Sequence, residues 1–292
     1  MSEFLSLFAP LASRSIFGLV PGGALGLLLA VVLGNGSATG QEAAVAKEDD
    51  WQAAYTTQSF TDAEGNEHAY RLRFPDGFKE GEAKKYPLVL LLHGAGERGA
   101  DNEAQLKHGA IEFGRPDRQA KHPSFVLVPQ VPTGQRWAEV DWSLPSGVGS
   151  ALEKDSPSFA AALGMIKKWV DGNRVDPNRI YVTGLSMGGY GTWYAGGAHR
   201  DLFAAIAPIC GGGDPAWAPR YAGLPIWNFH GTEDKAVPIS RSQEMIEALR
   251  KADQKPEAIY TVYDGAGHDV WTETYRRDDF FEWLFSQKRA PR

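Results

Sequence analysis

One short turn in this chain has the residue types of nucleophilic acyl transfer: Gly184-Leu185-Ser186-Met187-Gly188. A serine hydroxyl is a weak nucleophile at neutral pH. It needs an imidazole to take its proton and a carboxylate to orient that imidazole. Ile180-Tyr181-Val182-Thr183 reads as a strand entering the turn, and Gly189–Ala195 as the opening of a helix leaving it. A serine on so tight a strand-to-helix bend is forced into a strained conformation. Gly184 and Gly188 then keep side chains out of the two places where the backbone closes on itself. The helix that follows aims unpaired N–H groups, and the positive end of its dipole, at any negative charge developing on a bound carbonyl. The plain alternative is an ordinary serine at a glycine-rich helix start.

Where such a turn tops a sheet, the partners follow in the order acid, then histidine. Of the seven histidines, His230 and His268 come after Ser186 with strand-end placement. His268 stands in Gly265-Ala266-Gly267-His268, just past a strand Ile259–Tyr263, on a loop able to swing over the serine. His230 ends its own strand and reads as structural, and His199, beside Arg200, reads as a charge at a helix end. Asp234 is the favoured acid, four residues beyond a strand Ile226–His230, with Glu233, Asp264 and Asp269 as competitors. The run His93-Gly94-Ala95-Gly96-Glu97-Arg98-Gly99 follows another strand, and its small residues allow a backbone N–H to approach the nucleophile. Ala95 is the expected oxyanion donor, with Gly96 the alternative, and Met187 N–H is the second donor. Each such donor is worth about 3 kcal/mol to the transition state.

The elements that must position these groups are legible as alternating patterns. Candidate strands are His68–Phe74, Pro87–His93, Phe125–Gln130, Ile180–Gly184, Ala204–Ile209, Ile226–His230 and Ile259–Tyr263. The first alternates like a half-exposed antiparallel strand, whereas Leu88-Val89-Leu90-Leu91-Leu92 is apolar throughout, as in a strand covered on both faces. Between them, Ser156 caps a helix that begins at Pro157 and runs to about Asn173. Ser240-Arg241-Ser242-Gln243 has the spacing of a capping box for a second helix, and Thr274–Ser286 forms a last one. Strand–helix alternation predicts an α/β fold, a mainly parallel central sheet with helices on both faces, whose function gathers at the carboxyl ends of its strands.

The rest of the composition bounds the function classes. A formal net charge of -6 gives no electrostatic reason to bind a polyanion, so nucleic acid is not an expected partner, and no obligate protein partner is inferred. The lone cysteine, Cys210, sits in an apolar run as a small buried hydrophobe, and excludes an intramolecular disulfide or a cysteine metal cluster. At the other end, Arg14 precedes an apolar stretch from Ile16 to Leu33, broken by Pro21-Gly22-Gly23 and followed by Gly36-Ser37-Ala38-Thr39-Gly40. A positive start, an apolar centre and a small-residue exit predict an export signal over residues 1–40, and hence a periplasmic or extracellular protein. An uncleaved membrane anchor over residues 16–33 is the alternative. Residues 41–50 read as a linker and 51–288 as the catalytic domain.

Taken together, Leu92-His93-Gly94-Ala95-Gly96, Pro129-Gln130, Gly184-Leu185-Ser186-Met187-Gly188-Gly189, His230-Gly231-x-x-Asp234-x-x-Val237-Pro238 and Gly267-His268 resemble one branch of the α/β hydrolases. It is the branch like dienelactone hydrolases and feruloyl or acetyl esterases, and especially its secreted bacterial esterases or "predicted peptidases". The resemblance implies hydrolysis of carboxylic esters through an acyl-serine, with Ser186, Asp234 and His268 as the triad and without metal or cofactor. It implies a small-molecule or polysaccharide ester as substrate, with acetyl and feruloyl esters as candidates. Two features depart from the simplest members. Dienelactone hydrolases proper use a cysteine nucleophile where this chain has Ser186. The polar–aromatic excursion Arg136–Pro145 is long enough to overhang the site, and Trp142 and Trp271 are candidates to line the acyl or alcohol pocket, or simply to pack the loop or core. A serine peptidase of the prolyl-oligopeptidase type and a non-catalytic binding module of the same fold are the competing readings. The absence of a propeller weighs against the first, and the complete Ser–Asp–His set against the second.

Overall fold

The computed structural model describes residues 51–140 and 154–290. The expected export signal (1–40), the linker (41–50) and Trp142 lie outside the described residues. The apolar runs build one eight-stranded sheet in the order β1-β2-β4-β3-β5-β6-β7-β8. The strands are β1 (Tyr55–Thr61), β2 (Glu67–Arg73), β3 (Tyr86–Leu92), β4 (Phe125–Pro129), β5 (Val175–Leu185), β6 (Ala205–Ile209), β7 (Trp227–Gly231) and β8 (Ile259–Tyr263). From β4 through β8 all neighbours are parallel, while β2 runs antiparallel to both β1 and β4.

The helices are α1 (Ala110–Gly114), α2 (Pro116–Lys121), α3 (Pro157–Asp171), α4 (Met187–Ala198), α5 (Ser240–Lys251), α6 (Trp271–Arg276) and α7 (Asp278–Ser286). Successive strand residues point to opposite faces, and β3 shows the consequence. Leu88, Leu90 and Leu92 join Phe159, Ile166, Trp193 and Met245 from α3, α4 and α5 in one core. Val89 and Leu91 join Phe113, Tyr275, Phe280 and Leu284 from α1, α6 and α7 in the other. Every residue of β3 is buried, and each fully buried Leu or Val contributes about 1.5–3 kcal/mol. Helices on both faces of a mainly parallel sheet are the arrangement that the strand–helix alternation predicts.

Local signals hold in some places and yield to tertiary structure in others. Ser156 caps α3 as expected, its Oγ accepting from Phe159 N–H at 3.1 Å. Ser240 does not cap α5, because the helix already includes it and the cap position is Ile239, without a side-chain cap. The expected helix over Thr274–Ser286 is two helices, and the extended Arg277 (φ -71°, ψ 128°) breaks it. The Arg277 guanidinium reaches Asp279 at 2.6 Å and lies over the Trp227 ring, which suits an extended backbone there. β1 has no counterpart among the expected strands. Its pattern, buried Tyr55 and half-buried Phe60 separated by four polar residues, gives no apolar run to read.

Candidate active site

Four strand ends converge above the sheet: the loop after β3 carries Gly94 and Ala95, β5 runs into Ser186, the loop after β7 carries Asp234, and the loop after β8 carries His268. Ser186 sits at φ 55° and ψ -117° between β5 and α4, a region costing a non-glycine residue about 1–3 kcal/mol. Backbone on three sides holds it there. Its own N–H donates to Ile209 O at 3.0 Å, and its carbonyl accepts from Tyr190 N–H at 3.1 Å. A Cβ added to Gly188 would stand 2.0 Å from Leu92 O, and one added to Gly184 would stand 2.6 Å from the same oxygen. The two glycines flanking the serine are therefore required by the close approach of β3.

His268 joins the other two groups. Its Nε2 lies 3.0 Å from Ser186 Oγ and its Nδ1 lies 2.7 Å from Asp234 Oδ2. Since an ionised carboxylate only accepts, Nδ1 carries the hydrogen and Nε2 is left as the acceptor for the serine proton. Asp234 is held from both sides. Its Oδ1 accepts from Ala236 and Val237 N–H, each at 2.9 Å, and its Oδ2 also meets His230 Nε2 at 3.2 Å. Burial alone favours the neutral acid, but the hydrogen bonds from His230, His268 and Val237 outweigh it and keep the carboxyl well below the usual carboxylate range. The competing acids stand elsewhere. Glu233 is exposed, Asp264 meets Thr232, and Asp269 accepts from Thr272 N–H.

The side of Ser186 expected to hold an oxyanion is built from the same approach. A Cβ on Gly94 would lie 3.6 Å from Ser186 Cβ, so the loop opening at Ala95 abuts the nucleophile. Met187 is the first residue of α4, where the first-turn amides have no acceptor within the helix. His93 fixes the loop from beneath. Its Nδ1–H donates to Gly94 O at 2.6 Å, and Val131 N–H donates to its Nε2 at 2.9 Å. Burial pushes this imidazole down to about 4, so it is neutral in the tautomer both bonds require. Trp137 closes the arrangement, its Nε1–H donating to His93 O at 3.0 Å.

Several neighbours carried no readable sequence signal. The Glu97 carboxylate borders the nucleophile turn, since the same Cβ on Gly94 would lie 3.0 Å from its Oε2. Its Oε1 lies 3.6 Å from His108 Nε2. The His108 ring is 5.4 Å from that of Trp271, which in turn stands edge-on to His268 at 5.2 Å. Trp271 is itself buried, 8% exposed, against the imidazole. Glu97 was visible only as one residue of a small-residue loop, and His108 is separated from it by ten residues of irregular chain. Cys210, Asp234 and His268 bring one ligand atom each within 4.8 Å of one another, the one such trio among the described residues. Those atoms are already engaged: Asp234 and His268 with each other, and the Cys210 thiol with His268 O at 3.1 Å. Burial, more than the nearby Asp234 charge, pushes that thiol up and keeps it from the thiolate form that binds metals.

This sheet, with a serine on a strained bend and loops from later strands closing over it, is an α/β-hydrolase fold. The chain belongs to the phospholipase/carboxylesterase family, which matches residues 78–277. It is similar to poly(3-hydroxyalkanoate) depolymerase C of Paucimonas lemoignei, 33% identical in an alignment 229 positions long that covers 63% of this chain and 50% of that one. It is also similar to feruloyl esterase B of Piromyces equi, 32% identical over 57% of this chain and 29% of that one. Among solved structures, a thermostable esterase superposes with a TM-score of 0.73 at 38% identity, covering 81% of this chain and 64% of its own. The chain thus spans half or less of the two curated relatives.

Proposed function

We propose that this protein is a serine carboxylesterase. The observation that carries the reading is one imidazole standing 3.0 Å from the Ser186 hydroxyl and 2.7 Å from the Asp234 carboxylate. In the proposed reaction Ser186 Oγ attacks the ester carbonyl carbon while its proton passes to His268 Nε2. The carbonyl oxygen takes the electron pair and is met by Ala95 and Met187 N–H. Collapse expels the alcohol, which receives the proton from His268, and leaves the acyl group on Ser186. Water then attacks this ester with His268 again as base, releasing the acid and restoring the hydroxyl. Asp234 keeps Nδ1 protonated and stabilises the imidazolium in both halves.

Relatives named as a feruloyl esterase and an acetylxylan esterase favour acetyl or feruloyl esters of polysaccharides as the substrate class. The Glu97–His108 pair suits that class, because a carboxylate beside the nucleophile can accept from a sugar hydroxyl. Trp271, buried between the rings of His108 and His268, packs against the imidazole. No helix among the described residues is long and apolar enough to cross a membrane. We assign residues 1–40 to export on the charge and apolar pattern of that segment. N-terminal sequencing of the protein from its native host, finding a start near residue 41, tests this.

Rates on p-nitrophenyl acetate, acetylated xylan and methyl ferulate, measured against prolyl peptides, test the esterase reading. Hydrolysis of the esters is the expected result. Cleavage of the peptides alone would overturn it in favour of a peptidase, and no turnover or fluorophosphonate labelling at all would leave only a binding module.

A further inference from the structure

The strand-end histidine that the sequence presents as structural makes a contact that bears on the chemistry. His230 is fully buried, and both its ring nitrogens are engaged. Nε2 lies 2.8 Å from Val237 O and 3.2 Å from Asp234 Oδ2. A carbonyl and a carboxylate only accept, so Nε2 must carry a hydrogen, shared between them. Nδ1 lies 2.7 Å from Ser242 Oγ, which is also 3.0 Å from Gly211 O. Ser242 Oγ–H donates to Gly211 O, and the same oxygen meets Nδ1 on the far side of the ring. Nε2, the nitrogen facing Asp234, is thus fixed as a donor.

Asp234 Oδ2 is therefore the meeting point of two imidazoles, one reaching it from the loop after β8 and one from the end of its own strand. We propose that His230 is a positioning residue of the relay, whose Nε2–H fixes the Asp234 carboxylate and weakens its pull on the His268 proton. The inference rests on the esterase reading of Ser186, Asp234 and His268. A carboxylate that shares its charge with a second donor attracts the His268 imidazolium less. His268 then gives up its proton at lower pH and is available as a base over a wider range. The Ser242 hydroxyl anchors the far side of the ring, which accounts for a serine inside the first turn of α5 that caps nothing. The other titratable groups bearing on the cluster are Cys210 and Tyr190, both kept neutral mainly by burial, with Asp269, Arg241 and Glu244 beyond them.

The test is the pH profile of kcat/KM on p-nitrophenyl acetate for wild type, His230→Phe and His230→Gln, with Tm alongside. Phe fills the site without a donor, while Gln keeps an N–H for Asp234 and an oxygen for Ser242. In His230→Phe the acid limb should move to higher pH by about half a unit, a roughly threefold loss of rate on that side. In His230→Gln it should stay in place, whatever happens to Tm. A folded His230→Phe whose limb does not move, or equal movement in both variants, would overturn the proposal. Should His230→Phe fail to fold, the ¹⁵N shifts of the wild-type ring decide: protonation at Nε2 is expected, and a ring protonated only at Nδ1 overturns it. That measurement needs no turnover, so an inactive wild type would count against the esterase reading and not against the His230 contact.

Discussion

His268 Nε2 and Ser186 Oγ lie 3.0 Å apart although 82 residues of chain separate them. Only the sheet brings them together, since β5 delivers one and the loop after β8 the other.

Replacing Ser186 separates chemistry from stability. Ser186→Ala should lower kcat by about 10⁴-fold or more and leave Tm nearly unchanged. Ser186→Gly should be equally inactive yet more stable by about 1 kcal/mol, or roughly 2–4 °C in Tm, because glycine tolerates φ 55° without strain. Thermal melts and single-turnover assays on the two variants check both halves.

Asp234→Asn presents an amide where a carboxylate now accepts from two imidazoles and two backbone amides. It should lose about 10³–10⁴-fold in kcat, with KM little altered, because His268 would be held in the wrong tautomer. Steady-state kinetics at fixed pH read this directly, and a variant within tenfold of wild type would remove Asp234 from the relay.

Gly188, in the first turn of α4, and Gly96, in the segment after β3, belong to the two stretches that meet at Ser186, but only one of them is confined. Gly188→Ala would drive a methyl group into Leu92 O and should destabilise the fold by about 3 kcal/mol or more. Gly96 has nothing within 4 Å of an added Cβ, and Gly96→Ala should stay within about 0.5 kcal/mol of wild type. Urea unfolding of the pair measures the contrast.

His93 makes stability depend on pH. Its imidazole is held down at about 4 by burial, whereas the unfolded chain binds that proton near 6.5. Between these values the unfolded state holds more protons, so stability is complete above about 6.5 and declines as pH falls toward 4, by up to about 3 kcal/mol. His93→Gln should be less stable at pH 7 and show a flatter profile across that window. Denaturant midpoints measured at steps between pH 4 and 8 follow it.

How much of this was legible in the sequence depends on the range over which each signal acts. Leu88–Leu92, the glycines around Ser186 and the Ser156 cap are local, and each carries its physical reason within a few residues. Asp234 and His268 could be chosen because parallel strands place their following loops at one end of the sheet. Signals set by distant partners were silent. β1 pairs along a polar edge, Arg277 breaks a helix to meet Asp279 and Trp227, and Ser242 faces His230 rather than its own helix end. Glu97 and His108 become neighbours only when a loop without periodicity folds back. The export segment and Trp142 lie outside the described residues.

The bend that carries Ser186 is wedged between two parallel neighbours, with Gly188 against Leu92 O and Gly189, whose added Cβ would stand 2.3 Å from Ile209 O, against β6. The direction in which the hydroxyl points is thus inherited from the spacing of the sheet and not from the walls of the cleft. Loops around the opening can be lengthened, trimmed or exchanged to admit a different acyl or alcohol group while the attacking atom keeps its aim. A library confined to those loops should therefore change selectivity far more readily than it extinguishes turnover.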